Sequence, residues 1–329
     1  MTRSRVLAII LALVSISACR QDPPADWRSP VGVASPADCT ACEHDRGAGR
    51  IDLSDGSASQ KVDLIDDQQI IGTIESVATD MIDNKKCTVK AEEFAEQFKR
   101  EKCSLELPKS PPTTAALSPA QVYERCRKSV LVVSGVYKCG KCSRWHSQPA
   151  SGFALTADGV IVTNHHVLQK GNNETFVAMT ADGRVFPVKE VLASSQRNDI
   201  AIARLDLPKG ESLAPLPLQS DQPVGSSIAV ISHPDRHFYA LSLGIISRYH
   251  HLQRKPNEKA AIMAITADYA RGSSGAPVLN DRGAVVGIVA STNSVYYKNE
   301  NGKQENLQMV FKQCVPAASL LELIENVKK

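Results

Sequence analysis

Three short segments of the 329-residue chain carry side chains that could act together on a carbonyl carbon. Thr163-Asn164-His165-His166-Val167 offers a base, Asn198-Asp199-Ile200-Ala201 a carboxylate, and Arg271-Gly272-Ser273-Ser274-Gly275-Ala276-Pro277 a hydroxyl. A serine hydroxyl is a poor nucleophile at neutral pH. A histidine must take its proton, and a carboxylate must fix the imidazole tautomer and stabilise the imidazolium that forms. The attacked carbonyl becomes an oxyanion, which needs backbone N–H donors brought close with no side chain in the way; the amides of Gly272 and Ser274 are the expected pair. Taken singly, a GxSG stretch can be a turn, an aspartate before an apolar strand can be a cap, and a histidine after a strand is usually structural. In this chain order, each beside a strand-like run, they point to a catalytic triad for acyl transfer made of His165 or His166, Asp199 and Ser274.

The elements that would position these residues are short β-branched runs divided by polar turns, at 130–136, 152–155, 160–163, 199–205, 227–232, 244–247, 261–265 and 284–290. Such a pattern predicts an all-β barrel or sandwich. Helical spacing precedes it. Apolar residues recur at that spacing over 62–84, Thr88 can cap a second helix through about 102, and Ser118-Pro119 has the cap and first-turn residues of a helix through 127. Spacing at 315–329 predicts a last helix.

On these motifs, residues 120 to about 325 resemble trypsin-like serine peptidases, particularly the bacterial Deg/HtrA branch. In that family TNxHV carries the base, xDIAxxxL the aspartate and GxSGxP the nucleophile. The resemblance implies a mainly β domain of two six-stranded barrels, preceded here by a small helical region. It also implies an endopeptidase that cuts polypeptides through an acyl-enzyme, with no cofactor and no catalytic metal. TNxHV selects His166 as the base and leaves His165 at a variable position. Ser273 departs from digestive trypsins, whose aspartate before the nucleophile pairs with a freed N-terminus. Activation by such a cut is therefore not expected, and nor is a PDZ module, because no sequence follows the predicted last helix. A non-catalytic peptide-binding or chaperone-like module on the same fold is the competing reading, disfavoured because no triad residue is missing.

Asp268, six residues before Ser274, stands where trypsin holds a basic substrate side chain. A substrate-binding role is one reading; a hydrogen-bonded structural aspartate, as in Deg-type members, is the stronger. Ser291 could line the substrate cleft. Of the other histidines, His250-His251 reads as a loop pair and His233-Pro234 as a turn, and none has regular metal-ligand spacing.

The start of the chain bears on location. Arg3 and Arg5 precede an apolar run at 6–14 too short to span a bilayer, followed by Ile16-Ser17-Ala18-Cys19. This resembles a bacterial lipobox, with 1–18 as signal peptide and Cys19 lipidated. Arg20 favours the periplasmic face of the outer membrane in a diderm host. The expected organisation is a tether at 19–60, a small helical region at 61–107, a linker at 108–118 and the peptidase domain at 119–329. A net charge of +3 without basic blocks gives no reason to expect nucleic acid as a partner. Besides Cys19 there are Cys39, Cys42, Cys87, Cys103, Cys126, Cys139, Cys142 and Cys314, an even number in a secreted chain, so disulfides are expected. The pairs Cys39-x-x-Cys42 and Cys139-x-x-Cys142 could instead be zinc knuckles, but their separation and the secretion signal favour disulfides. A continuous second helix would hold Cys87 and Cys103 too far apart to pair with each other.

Overall fold

The computed structural model describes residues 64–85, 89–108, 115–220, 222–300 and 303–326. The signal, Cys19, Cys39, Cys42, Cys87 and the tether lie outside them. Helix α1 (Asp67–Asp83) starts where the Asp66 carboxylate accepts from Gln69 N at 2.9 Å, and its helical spacing buries Ile74 and Ala78. A 3-10 turn (Ala91–Glu93) then runs into the single turn α2 (Phe94–Gln97), and strand β1 (Cys103–Leu105) follows. Helix α3 (Pro119–Cys126) begins in a reciprocal capping box between Ser118 and Gln121.

The first barrel consists of β2 (Val130–Lys138), β3 (Trp145–Ala154), β4 (Val160–Thr163), β5 (Thr175–Met179), β6 (Val185–Ser195) and β7 (Ile200–Leu205), closed in the order β2-β3-β4-β7-β6-β5. The second consists of β8 (Ser227–Ser232), β9 (Ala240–Lys255), β10 (Glu258–Ile265), β11 (Pro277–Asn280), β12 (Val285–Glu300) and β13 (Lys303–Pro316), closed as β10-β13-β12-β11-β8-β9. The fold is therefore the double six-stranded β-barrel that the resemblance implies. Closing each sheet leaves no unpaired edge and buries β4 and β11 throughout. In the second barrel β12 and β13 overshoot, pairing from Gly287↔Pro316 out to Glu300↔Lys303 and leaving Tyr297, Leu307 and Met309 exposed.

Helix α1 is part of the same body as the barrels. Ile74 and Ala78 share one core with Val132 and Phe153 of the first barrel and Ile231 and Leu279 of the second. The Glu75 carboxylate accepts from Ser147 N and Oγ of β3, both at 3.0 Å, and Asp67 accepts from Phe238 N of the loop after β8 at 3.0 Å. The helix thus straps the two barrels together from outside.

Several expectations are corrected. The predicted helix over 88–102 is a single turn ending at Gln97, so it does not hold Cys103 away from its surroundings. The predicted last helix shrinks to α4 (Ala317–Leu321), because residues to Pro316 are drawn into β13 and Ile324–Asn326 form β14, which pairs in parallel with β1. His250 and His251 lie in β9 opposite Ile262 and Ala261, not in a loop. Among the described cysteines no disulfide is formed: Cys103, Cys126, Cys139, Cys142 and Cys314 are free thiols, against the expected framework. Burial pushes Cys126 up to about 11 and Cys314 to about 12, so both are inert apolar filling at neutral pH.

Candidate active site

His166 sits on the 3-10 turn His165–Leu168 that directly follows β4, and Asp199 immediately precedes β7. Because β4 pairs with β7 in the register Thr163↔Ala201, the sheet itself brings the two together. His166 Nδ1 lies 2.8 Å from Asp199 Oδ2, and the backbone N–H of His166 donates to the other oxygen, Oδ1, at 3.0 Å. An ionised carboxylate only accepts, so Nδ1 carries the proton and Nε2 is left as the acceptor. Asn164 Nδ2 donates to Asp199 O at 2.7 Å, fixing the aspartate's backbone. That backbone is in the left-handed region, φ +55°, a strained conformation for a non-glycine residue and one that clusters at functional sites.

The adjacent histidines have opposite environments. His165 is 7% exposed, packs its ring 4.5 Å from Phe98 and places Nδ1 2.6 Å from Ser194 Oγ. Burial first, then the neighbouring His166, lower its pKa, while Asp199 pulls the other way. The His166 side chain is 46% exposed and lines a cleft of about 920 Å³. Neighbours on a 3-10 turn point about 120° apart, so the two rings face different ways.

Gly272 and Ser274 line the same cleft, on the irregular segment between β10 and β11. The Arg271 carbonyl accepts from Asp235 N at 2.7 Å. In a trans peptide C=O and N–H point in opposite directions, so holding the Arg271 carbonyl turns the Gly272 N–H the other way, as an oxyanion donor requires. The Arg271 guanidinium also pairs with the Asp235 carboxylate at 2.6 Å, so Asp235 meets residue 271 through main chain and side chain. Gly272 has φ +89°, and a Cβ there would lie 2.5 Å from His233 O; only glycine fits.

The first barrel also holds the Gly272–Ser274 segment. Ser151 of β3 donates its N–H to Ser274 O and its hydroxyl to Gly272 O, both at 2.9 Å, and its hydroxyl accepts from His233 N at 3.2 Å. His233, expected to be a turn residue, is fully buried. Its Nδ1 accepts from Tyr239 N and its Nε2 donates to Leu131 O, both at 3.1 Å, which ties the loop after β8 to the first barrel as the neutral tautomer. Burial holds its pKa down to about 4. Ser273 is buried and accepts from Ser232 Oγ at 3.0 Å, an internal partner where digestive trypsins need an ion pair.

His166, Gly272 and Ser274 are thus brought to one cleft, with Asp199 behind His166. Asp268 is not among the cleft-lining residues. Its side chain is 92% exposed and lies 3.3 Å from Lys312 Nζ, so a basic group of the chain itself already faces it. Ser291 Oγ donates to Gln313 Oε1 at 3.1 Å. Ser151, Asp235 and His233 escaped sequence reasoning because each acts across a long sequence separation with no local motif.

A model of the trypsin-like peptidase domain matches residues 150–288. Protease Do-like 1, chloroplastic, of Arabidopsis thaliana is 33% identical over 146 residues, covering 42% of this chain and 32% of that protein. Serine endoprotease DegS of Escherichia coli is 24% identical over 176 residues, covering 52% and 49%. A protein of Hahella chejuensis named "Probable periplasmic serine endoprotease DegP-like" is 34% identical over 157 residues, covering 46% and 30%. The match spans half or less of the length of each. Residues 150–288 are a trypsin-like peptidase domain, and the chain that carries it is a relative of the Deg/HtrA serine proteases.

Proposed function

We propose that the chain is a serine endopeptidase that hydrolyses polypeptides through an acyl-enzyme. The observation that carries this reading is the His166–Asp199 pair facing the cleft that Gly272 and Ser274 also line. In it, Ser274 Oγ attacks the scissile carbonyl while His166 Nε2 takes the hydroxyl proton, and the Asp199 carboxylate steadies the resulting imidazolium. The amides of Gly272 and Ser274 receive the oxyanion. The imidazolium returns its proton to the leaving amine, and a water molecule repeats the sequence to free the acid product. No hydrogen bond joins Ser274 Oγ to the His166 ring among the described residues. That contact is often loose without substrate and tightens in the complex.

The proposed place of action is the bacterial cell envelope, with the mature chain held to the membrane through lipidated Cys19. The signal-like start and the similarity to proteins named DegS and periplasmic DegP-like support this. The sequence division into tether, helical region and peptidase domain belongs to the same proposal, with α1 as a strap on the barrels. A fluorophosphonate probe tests the chemistry: labelling is expected on Ser274 and lost in Ser274→Ala. A wild-type chain that is folded, unlabelled and still binds unfolded polypeptide would favour the non-catalytic peptide-binding alternative.

A further inference from the structure

The turn between β2 and β3, residues 139–144, and the start of β3 bring together three metal-ligating side chains that the proposed peptidase chemistry does not use. Cys142 Sγ lies 3.6 Å from Cys139 Sγ and 3.1 Å from His146 Nε2, and the three donor atoms are all within 4.8 Å of one another. A tetrahedral zinc ion, with sulfur at about 2.3 Å and nitrogen at about 2.0–2.1 Å, sets sulfur pairs about 3.8 Å apart and sulfur–nitrogen pairs about 3.6 Å apart. The first two separations fall within about half an ångström of those values, before any adjustment to an ion.

The hairpin prepares this arrangement. Register pairs Tyr137 with His146 and Lys138 with Trp145, so Cys139 follows directly where the ladder ends and His146 returns on the facing strand. The His146 ring lies 5.8 Å from that of Tyr137, and Lys138 Nζ lies 4.6 Å from the Trp145 ring centroid. Gly140, at φ +72°, turns the chain so that Lys141 N–H donates to Cys139 Sγ at 3.4 Å. An N–H directed at sulfur favours the thiolate, the form that binds metal. Two thiolates and an imidazole suit zinc, which needs no redox change and accepts a tetrahedral site with one position left to water.

We propose that Cys139, Cys142 and His146 form a zinc-binding site at the tip of the β2–β3 hairpin. Binding releases two thiol protons to solvent and moves no electrons. The same hairpin supplies Tyr137, Gln148 and Pro149 to the cleft lining, so the ion would stiffen one wall of the cleft from outside it. The site does not depend on the proposed peptidase activity. It reverses the expectation of a disulfide at Cys139 and Cys142, since one pair of sulfurs cannot serve both.

The test uses the purified mature chain, stripped of metal under reducing conditions and titrated with zinc against a chromophoric chelator, with X-ray absorption on the loaded protein. One zinc per chain is expected, bound by two sulfurs and nitrogen or oxygen donors. Cys142→Ser and His146→Gln should each weaken binding by more than the ~10–100-fold typical of losing an outer-shell partner. Changing Cys39 and Cys42 together to Ser should leave one zinc and two sulfurs. The proposal is overturned by absence of zinc binding, by a four-sulfur site that loses two sulfurs in the Cys39/Cys42 variant, or by affinity indifferent to His146→Gln. A quantitative Cys139–Cys142 disulfide in protein taken directly from cells would also overturn it. The absorption spectrum of the unmutated chain reads the donor set even if a variant misfolds.

Discussion

The two barrels bring their parts of the cleft together by different means. In the first, His166 and Asp199 flank the paired strands β4 and β7, so one sheet register fixes both, and two hydrogen bonds to the Asp199 carboxylate complete the geometry. In the second, Gly272 and Ser274 lie on a segment with no ladder of its own. It is held by Ser151 from the first barrel, whose hydroxyl is in turn held by His233 N, and by Asp235 from the loop after β8. A pair set by sheet register needs no outside support, whereas a loop does. The proposed base should therefore tolerate change around it better than the proposed nucleophile does.

The sharpest contrast lies within the first barrel. His166→Ala should lower turnover of a peptide substrate by about 10⁴ or more, as for loss of a triad member, while His165→Ala should keep most of the activity. The buried ring of His165 packs on Phe98, so its variant should instead lose stability, readable as a lower Tm. The reverse pattern would move the base to His165.

In the second barrel, Gly272→Ala sets a Cβ against His233 O at a positive φ, and the loop must yield. The expected cost is about 10² to 10³ in kcat, that of losing one oxyanion donor, with His166 and Asp199 undisturbed. Unchanged kcat in a folded variant would mean that this amide is not a donor.

The smallest effect is a dependence on pH. His233 is neutral in the fold with its pKa held down to about 4, whereas in the unfolded chain it titrates near 6.5. Between these values the unfolded state binds the extra proton, so stability is complete above about pH 6.5 and declines as pH falls toward 4, by about 3 kcal/mol at most from this group. The buried His165, lowered in the same direction, adds to the same slope. Urea unfolding across this range measures it, and His233→Gln should flatten the slope whatever its overall stability. If hydrogen exchange on acidification opens the His166 turn before the Gly272–Ser274 segment, the contrast between the barrels is wrong.

The motifs around His166, Asp199 and Ser274 were legible because each is local in sequence and stands beside an apolar strand. Strand β4 was read to the residue because every position in it is buried. β9 and β12 were read too short because their outer halves face solvent and carry polar residues, with pairing to β10 and β13 respectively, rather than burial, keeping them extended. The helix predicted over 88–102 failed because the chain from Cys103 is claimed by a strand partner far along the sequence. His146 was passed over for a different reason: its spacing from Cys142 resembles no familiar ligand pattern, and the hairpin register places it beside the thiols.

That distant partner has a consequence for how the chain reaches its fold. Strand β1 pairs in parallel with β14, Cys103 against Ile324. Closing so long a loop is entropically costly and cannot happen until residues near 324 have left the ribosome. Both barrels can close before it, because each draws its strands from one continuous stretch of chain. The β1–β14 clasp is then among the last contacts to form and among the first to open. Through it, the segment that carries the strap across the two barrels becomes secure only after residues near 324 have been made.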